Sequence, residues 1–190
     1  MKPHITKEQF DELSKDEKEK PYKYSSNSKD IKIKEEEKVD FLKYYVKPHK
    51  KISREVEKND LYIVLKDLHI MYNLCFTQRG KFGGAMAVAH SQINDKDPLR
   101  FFITKDKKIV INPIITRHTN HTVDSLEGCL SFPDNSMIVV QRWNKCEVKY
   151  FTLDKDGNKL VEVFEKLNGT EAKVFQHELE HLDGSAIYEF

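Results

Sequence analysis

Apolar residues recur at helical spacing across residues 60–79. They fall at positions i, i+3, i+4, i+7, i+11 and i+14, one face of a 3.6-residue period, and are Leu61, Val64, Leu65, Leu68, Tyr72 and Cys75. Asn59 or Asp60 can cap the start of this helix, and Gly80 can end it. We predict a helix over residues 60–79, with Cys75 as a small core residue rather than a reactive thiol.

The chain beyond Gly84 is rich in β-branched and aromatic runs, which favour strands. An Asp154–Asn158 segment with Gly157 has the composition of a hairpin turn between the last two runs. Cys146 begins one run and is expected to be structural. The predicted strands are residues 99–104, 108–113, 137–141, 146–153 and 159–165, and residues 39–46 also lean towards a strand.

A second helix is predicted near the end of the chain. Asn168 can cap its start, with Glu171 three residues later in the position of a capping box. Gly184 supplies a stop just after the last apolar position. Its apolar face is made of Ala172, Phe175, Leu179 and Leu182.

Composition divides the chain into two parts. The 190 residues carry 32 Lys and Arg against 31 Asp and Glu, a net charge of +1, and this balance predicts no direct binding to nucleic acid or membranes. However, 24 of the first 50 residues are charged. We therefore interpret residues 1–38 as a charged extension, with a docking arm as the alternative, and residues 39–190 as the compact domain.

The chain has the features expected of a cytoplasmic protein. No apolar run approaches the roughly 18–20 residues that span a bilayer, and the N-terminus lacks the apolar stretch of a secretory signal. Three widely spaced cysteines do not form a disulfide framework. The composition fits a bacterial or a viral source, the latter acting in host cytoplasm, and an organelle is less favoured because no Arg/Ser-rich transit peptide is present.

The second helix carries a His-Glu-x-x-His motif at residues 177–181. His177 and His181 are four residues apart, so both imidazoles can reach one metal ion, and Glu178 can act on a water beside it. The zinc-protease patterns that share this motif need a third ligand downstream. Ile187 occupies the place of the third histidine, and Glu189 fits neither pattern. The third ligand is therefore expected upstream.

Cys129 is the candidate for that ligand. It follows Gly128 in the loop sequence Glu-Gly-Cys-Leu-Ser, and a thiolate is a good ligand for zinc or ferrous iron. Three protein ligands leave a fourth position open, as in a catalytic site. Cys129, His177 and His181 thus predict metal-assisted hydrolysis.

Two of these segments resemble motifs of the peptide deformylase family: residues 127–131 (EGCLS) and 176–181 (QHELEH). Residues 85–92 (AMAVAHSQ) are similar to the family's first motif, with Gln92 in place and with Ala85, Ala87 and His90 as departures. The resemblance covers about residues 39–190. It implies an α+β fold in which antiparallel sheets pack around a central metal-binding helix.

The same resemblance implies a role for each site residue. It makes Glu178 the general acid/base, Gln92 and the Leu130 backbone N–H the donors to an oxyanion, and Cys129, His177 and His181 the metal ligands. The substrate would contact Met86, Ala87 and Val174, with Leu130 as a further contributor to the pocket. The cofactor would be one divalent ion, Fe²⁺, with Zn²⁺, Ni²⁺ or Co²⁺ as alternatives.

By the same resemblance, the substrate is the N-formylmethionine of new polypeptides, and the reaction releases formate. The resemblance leaves contact with the ribosome undecided. Many bacterial members continue into a further helix that could dock on the ribosome, whereas this chain stops at Phe190. The alternatives are a deformylase-like metal-binding module with weak or lost activity, and a metallohydrolase acting on another N-formyl substrate.

Three further residues carry secondary expectations. Glu127 is expected to pair with Arg142. His90 is interpreted as a polar replacement in a helix or in the cleft wall. His118 and His121 lie in a segment that we expect to be a solvated loop rather than a second metal site.

Overall fold

The computed structural model describes residues 51–77, 85–132, 137–185 and 187. Predictions on residues 1–38, on residues 39–46, on Gly80 and on Glu189 therefore lie outside the described residues. The elements are, in order, α1 (Leu61–Thr77), β1 (Ala87–Ala89), β2 (Phe101–Thr104), β3 (Ile109–His118), β4 (Thr122–Glu127), β5 (Ile138–Trp143), β6 (Lys145–Leu153), β7 (Leu160–Asn168) and α2 (Gly169–Leu182).

Two antiparallel sheets make up the β part of the fold. The larger has five strands in the order β1-β2-β3-β6-β7, and β4 pairs with β5 in a separate two-stranded ribbon. The α+β class is confirmed. None of the helices in the described part of the chain has the length and apolar content to cross a membrane.

The five-stranded sheet lies between the two helices. Because side chains alternate along a strand, Val88 of β1 and Phe101 and Ile103 of β2 join the core cluster of α1. Ala87 and Phe102, their neighbours in sequence, belong to the cluster of α2. The two cores thus share one sheet, and α2 is fixed against it by apolar contacts.

The first helix has the predicted position, but its start is built differently. A single 3₁₀ turn at Lys58–Asp60 precedes it. The Asp60 carboxylate accepts a hydrogen bond from the backbone N–H of Glu57 at 2.9 Å and two from the Arg54 guanidinium. Asp60 is therefore part of the 3₁₀ turn and of an ion pair. Cys75 is fully buried in the core of α1, as predicted.

Strand β3 runs past Pro113, where the sequence predicted its end. Asn112 adopts a left-handed conformation with φ of 50°, and the register shifts between Ile111 and Ile114. This is a β-bulge, which leaves the ladder locally unpaired and so tolerates a proline that cannot donate. The Asn112 side chain holds the bulge by bonding both the N–H and the carbonyl of Val56.

The segment around His118 is not a plain loop. His118 ends β3 and stacks on Trp143 with ring centroids 3.6 Å apart, whereas His121 lies in the exposed turn that follows. Both histidines are exposed, as expected, but the expectation of a loop was wrong for His118 because β3 continues through the bulge. Within the described residues, neither histidine belongs to a cluster of metal-ligating side chains.

The predicted hairpin is present, but the predicted helix cap is not. β6 and β7 pair antiparallel, and Gly157, with φ of 72°, donates to Asp154 in the turn between them. Asn168 is the last residue of β7, and its side chain makes no capping hydrogen bond. Instead Gly169, with φ of 54°, turns the chain from strand to helix and donates its N–H to the Asn144 carbonyl.

Truncation of Ile103 is expected to destabilise the fold strongly. Its side chain is fully buried in the core of α1, so Ile103→Ala removes apolar contacts and leaves a cavity, at a cost of about 3 kcal/mol. Urea denaturation at fixed metal concentration measures the loss. Val161→Ala is the control, because Val161 is exposed and its truncation should cost no more than about 0.5 kcal/mol. Equal losses for the two variants would contradict the assigned core.

Candidate metal centre

Helix α2 and the loop after β4 bring three metal-ligating side chains together. One ligand atom from each of Cys129, His177 and His181 lies within 4.8 Å of the other two. Cys129 Sγ is 3.2 Å from His181 Nε2, and the two imidazole rings meet edge to face at 5.1 Å. The Cys129 side chain is buried, as is His181. A thiolate and two imidazoles at this spacing fit one divalent transition-metal ion with an open coordination position.

Glu127 orients the imidazole ring of His177 through its Nδ1 atom. The ring Nδ1 of His177 is 2.9 Å from Glu127 Oε2. Because the carboxylate only accepts, Nδ1 carries the proton and Nε2 is left as the ligating atom. Arg142 binds the same carboxylate through Nε and Nη2, at 3.0 and 2.9 Å, so the predicted Glu127–Arg142 pair is confirmed.

The charge of Glu127 is maintained by these partners. Burial alone would raise the pKa of the carboxyl, but hydrogen bonds from His177 and Arg142 outweigh it and lower the pKa to about 2. Arg142 also binds Glu180 through Nη1 and Nη2, a contact that the sequence analysis missed. The guanidinium thereby ties the end of α2 to β4 and β5.

Glu178, the predicted general acid/base, lies on α2 with two of the three metal-ligating residues. It is buried on α2, next to His177 in the chain, and its Oε2 has no hydrogen-bond partner within the described residues. Burial raises the pKa of this carboxyl to about 7, and the nearby Glu127 charge acts in the same direction. A buried carboxylate oxygen without a protein partner needs an exogenous one, such as a water molecule.

Gln92 reaches the Cys129 loop from a buried 3₁₀ turn at His90–Gln92. The Ala89 N–H donates to Gln92 Oε1 at 2.9 Å, which orients the carboxamide so that Nε2 donates to Ser131 Oγ at 3.1 Å. Ser91 in the same turn donates to the carbonyl of His181 at 3.1 Å. The turn is thus joined to the metal-ligating residues indirectly, through Ser131 in the Cys129 loop and through the Ser91 bond to the His181 backbone.

An apolar cavity of about 320 Å³ lies between the sheet and the N-terminal half of α2. Of the predicted substrate residues, Met86 and Val174 line it, whereas Ala87 and Leu130 do not. Leu130 packs instead against the core of α1. The remaining lining residues are Phe102, Thr104, Lys105, Asp106, Lys108, Val110, Leu167, Thr170, Glu171 and Phe175.

Ala87, where the similar family motif has glycine, lies in strand β1 without backbone strain. The non-glycine residues with positive φ in the described ranges are Lys107 and Asn112, so Ala87 does not require a glycine conformation. Its side chain is buried against α2. Its backbone is therefore compatible with a position along a substrate strand.

Gln176 has a structural role that the sequence analysis did not assign. Its Oε1 accepts the N–H of Trp143, and its Nε2 donates to the carbonyls of Trp143 and Ala172. The side chain thus takes the place of a strand partner at the end of β5. The sequence signal for this role is the position of Gln176 directly before His177. There its bonds to Trp143 fix the register of α2 against the β4–β5 ribbon.

Replacement of Glu127 by glutamine is expected to weaken metal binding by about 10- to 100-fold. The amide keeps the shape of the side chain but not the charge that orients His177 and pairs with Arg142. Competition with a chromogenic chelator measures the affinity. Glu162→Gln, an exposed change on β7, is the control and should leave affinity unchanged. Parent-like affinity in Glu127→Gln would contradict the orienting role.

The part of the chain that carries these residues matches a known protein family. A model of the polypeptide deformylase family matches residues 36–189. The peptide deformylase of Pelagibacter ubique is 36% identical over 86 residues, which are 45% of this chain and 46% of that protein. The enzyme of Brachyspira hyodysenteriae is 32% identical over 142 residues, 70% of each chain.

Solved structures show the same fold. Peptide deformylase from Thermotoga maritima superposes with a TM-score of 0.59 and 29% identity, over 73% of this chain and 86% of that one. A class I type b deformylase from Acinetobacter baumannii has a TM-score of 0.60 and 26% identity, over 76% and 93%. The alignments span about half the length of several curated relatives. With the family match covering most of its length, the chain belongs to the polypeptide deformylase family.

Proposed function

We propose that this chain is a metal-dependent hydrolase that removes the formyl group from the N-formylmethionine of new polypeptides and releases formate. The observation that carries the proposal is the triangle of Cys129, His177 and His181, with a buried Glu178 carboxylate on the same helix whose Oε2 has no partner among the described residues. Gln92, held by Ala89 and Ser131, supplies an amide donor next to the loop that carries Cys129.

In this proposal the residues divide the reaction between them. Cys129, His177 and His181 would hold a divalent ion, which would supply Lewis-acid activation of water at neutral pH. Glu178 takes a proton as the water oxygen attacks the formyl carbon. When the C–N bond breaks, Glu178 returns that proton to the departing amine, so the products are formate and a free N-terminus. Its buried position suits a group that must exchange a proton near neutral pH.

The negative charge that develops on the formyl oxygen needs donors fixed in advance. The Gln92 amide is such a donor, because both of its polar atoms are already committed in orientation by Ala89 and Ser131. The backbone N–H of Leu130 is the second proposed donor. Leu130 follows Cys129 directly, so its N–H moves with the ligating loop.

The methionine side chain of the substrate is proposed to enter the 320 Å³ cavity, where it would contact Met86 and Val174. Val174 lies about one helical turn before His177, so the cavity shares helix α2 with the ligands, although none of the three ligands lines it. The backbone of Ala87 would run beside the peptide. The native ion is proposed to be Fe²⁺, with Zn²⁺, Ni²⁺ and Co²⁺ as the alternatives, and metal analysis of anaerobically purified protein would distinguish them.

The test is turnover of formyl-Met-Ala-Ser by the full chain loaded with Fe²⁺ or Ni²⁺ under anaerobic conditions, with formate as the measured product. Acetyl-Met-Ala-Ser is the control, and formate should appear only from the formylated peptide. No formate from this peptide, with one metal ion bound per chain, would overturn the proposal. Formate from a formylated small molecule alone would favour another N-formyl substrate.

The remaining assignments are proposals of the same kind. We place the catalytic domain at residues 39–190 and the charged extension at residues 1–38, with a cytoplasmic location. Contact with the ribosome can be tested by cosedimentation of the full chain and of a chain lacking residues 1–38.

A further inference from the structure

The buried turn that presents Gln92 begins with a histidine whose side chain is not part of the proposed reaction. His90 is fully buried in the described structure. Its ring stacks on Phe101 of β2, with centroids 4.7 Å apart and planes inclined by 23°. An imidazole in such a place is costly unless both ring nitrogens have partners.

Both nitrogens do have partners, and these determine the tautomer. The backbone N–H of Leu99 donates to His90 Nδ1 at 2.9 Å, so Nδ1 carries no proton. The proton is therefore on Nε2, which donates to Asp67 Oδ2 at 3.1 Å. Asp67 belongs to α1, and Leu99 lies just before β2. The ring is thus held at the same time from α1 and from the segment just before β2.

The His90 ring and the Gln92 carboxamide are coupled through one short turn. His90 and Gln92 are the first and third residues of one 3₁₀ turn, and the turn is followed by N–H bonds from Ile93 and Asn94 to the His90 carbonyl. The Gln92 carboxamide is oriented by the N–H of Ala89, the residue that precedes His90. A shift of His90 therefore moves both ends of the hydrogen bond that directs Gln92 Nε2.

We propose that His90, held between Asp67 and the Leu99 backbone, is a positioning residue that sets the orientation of the Gln92 carboxamide. The inference rests on the proposed function for its kinetic consequence, since Gln92 is a proposed oxyanion donor. Its structural part concerns the Gln92 amide itself and can be measured without turnover.

The kinetic test compares His90→Ala with the parent in the metal-loaded enzyme. Loss of one oxyanion donor costs about 10²- to 10³-fold in rate, so a displaced donor is expected to lower kcat by about 10- to 100-fold. KM should change by no more than about three-fold, because Gln92 acts on the transition state. In the Gln92→Ala background the same substitution should change kcat by less than about two-fold.

Two sets of variants separate positioning from general stability. Leu68→Ala, which truncates a core residue of α1 next to Asp67 but leaves the Asp67–His90 bond intact, is the matched control and should lower Tm while kcat of the folded enzyme is unchanged. Asp67→Asn keeps an oxygen acceptor for Nε2–H and should have parent-like kcat, whereas Asp67→Ala should lower it. The Asp67 pair serves as the test if His90→Ala does not fold.

The second readout is the side-chain amide signal of Gln92 in ¹⁵N-labelled metal-loaded protein, assigned by its absence in Gln92→Ala. It should shift or broaden in His90→Ala or Asp67→Ala and stay in place in Leu68→Ala and Asp67→Asn. Unchanged amide signals, or an equal fall of kcat in the parent and the Gln92→Ala backgrounds, would overturn the inference. The expected amide shifts in a protein without turnover would support it and overturn the proposed function instead.

Discussion

Glu178→Gln is expected to lower kcat for formyl-Met-Ala-Ser by about 10³-fold. Glutamine has nearly the same shape as glutamate but cannot take a proton from water or return one to the leaving amine. The substitution is also mild for the fold, because it replaces a buried carboxyl whose Oε2 has no hydrogen-bond partner in the described part of the chain. Tm should therefore stay at or above the parent value.

The control for this prediction is the metal content of the purified variant. Glu178→Gln leaves Cys129, His177 and His181 intact, so the purified variant should still contain one ion per chain. Glu162→Gln makes the same chemical change on the exposed side of β7 and should have parent-like kcat. If Glu178→Gln kept more than about a tenth of the parent kcat with metal bound, the carboxylate would not be the group that transfers the proton.

The parts of this fold that were visible in the sequence are those that depend on neighbours along the chain. Both helices follow from the 3.6-residue spacing of their apolar faces, and His177 and His181 share a face for the same reason. The β6–β7 hairpin follows from a local turn with Gly157. These features are determined within a few residues, so pattern alone is sufficient.

The parts that were missed depend on partners distant in sequence. β4 has one buried residue, Ser125, and becomes a strand because it pairs with β5 across six residue pairs. The bulge in β3 depends on Asn112 binding the backbone of Val56. The start of α2 depends on Gly169 bonding Asn144. None of these contacts has a signature in the local pattern of polar and apolar residues.

The site shows the same division. The metal-ligating types and Glu178 were recognisable because their chemistry restricts them to few residue types at set spacings. The surrounding network was only partly recognisable: the Glu127–Arg142 pair was predicted, but the Glu180 contact and the Asp67–His90 bond were not. Carboxylates are common at the surface, so a carboxylate that orients a buried side chain is identified by its distance and burial.

Cys129→Ala is expected to remove stoichiometric metal and, with it, detectable deformylation. The two imidazoles that remain sit on one helix, and their ligand atoms alone leave the ion bound from one side. The lost thiolate is also the ligand that ties the loop after β4 to α2, with Sγ 3.2 Å from His181 Nε2. We expect metal affinity to fall by more than the roughly 10- to 100-fold typical of an orienting partner.

The other cysteines provide the matched control for this prediction. Cys146 is buried in the core of α2, so Cys146→Ala makes the same chemical change and should cost stability while the protein keeps one ion per chain. Metal content after dialysis and formate release are measured on both variants. One tightly held ion in Cys129→Ala would show that the third ligand is another residue. Loss of the ion in Cys146→Ala as well would show that metal retention reports on folding rather than on the ligand set. The prediction stands if Cys129→Ala alone loses both the metal and the activity, because the two variants differ in whether the thiol faces the histidines.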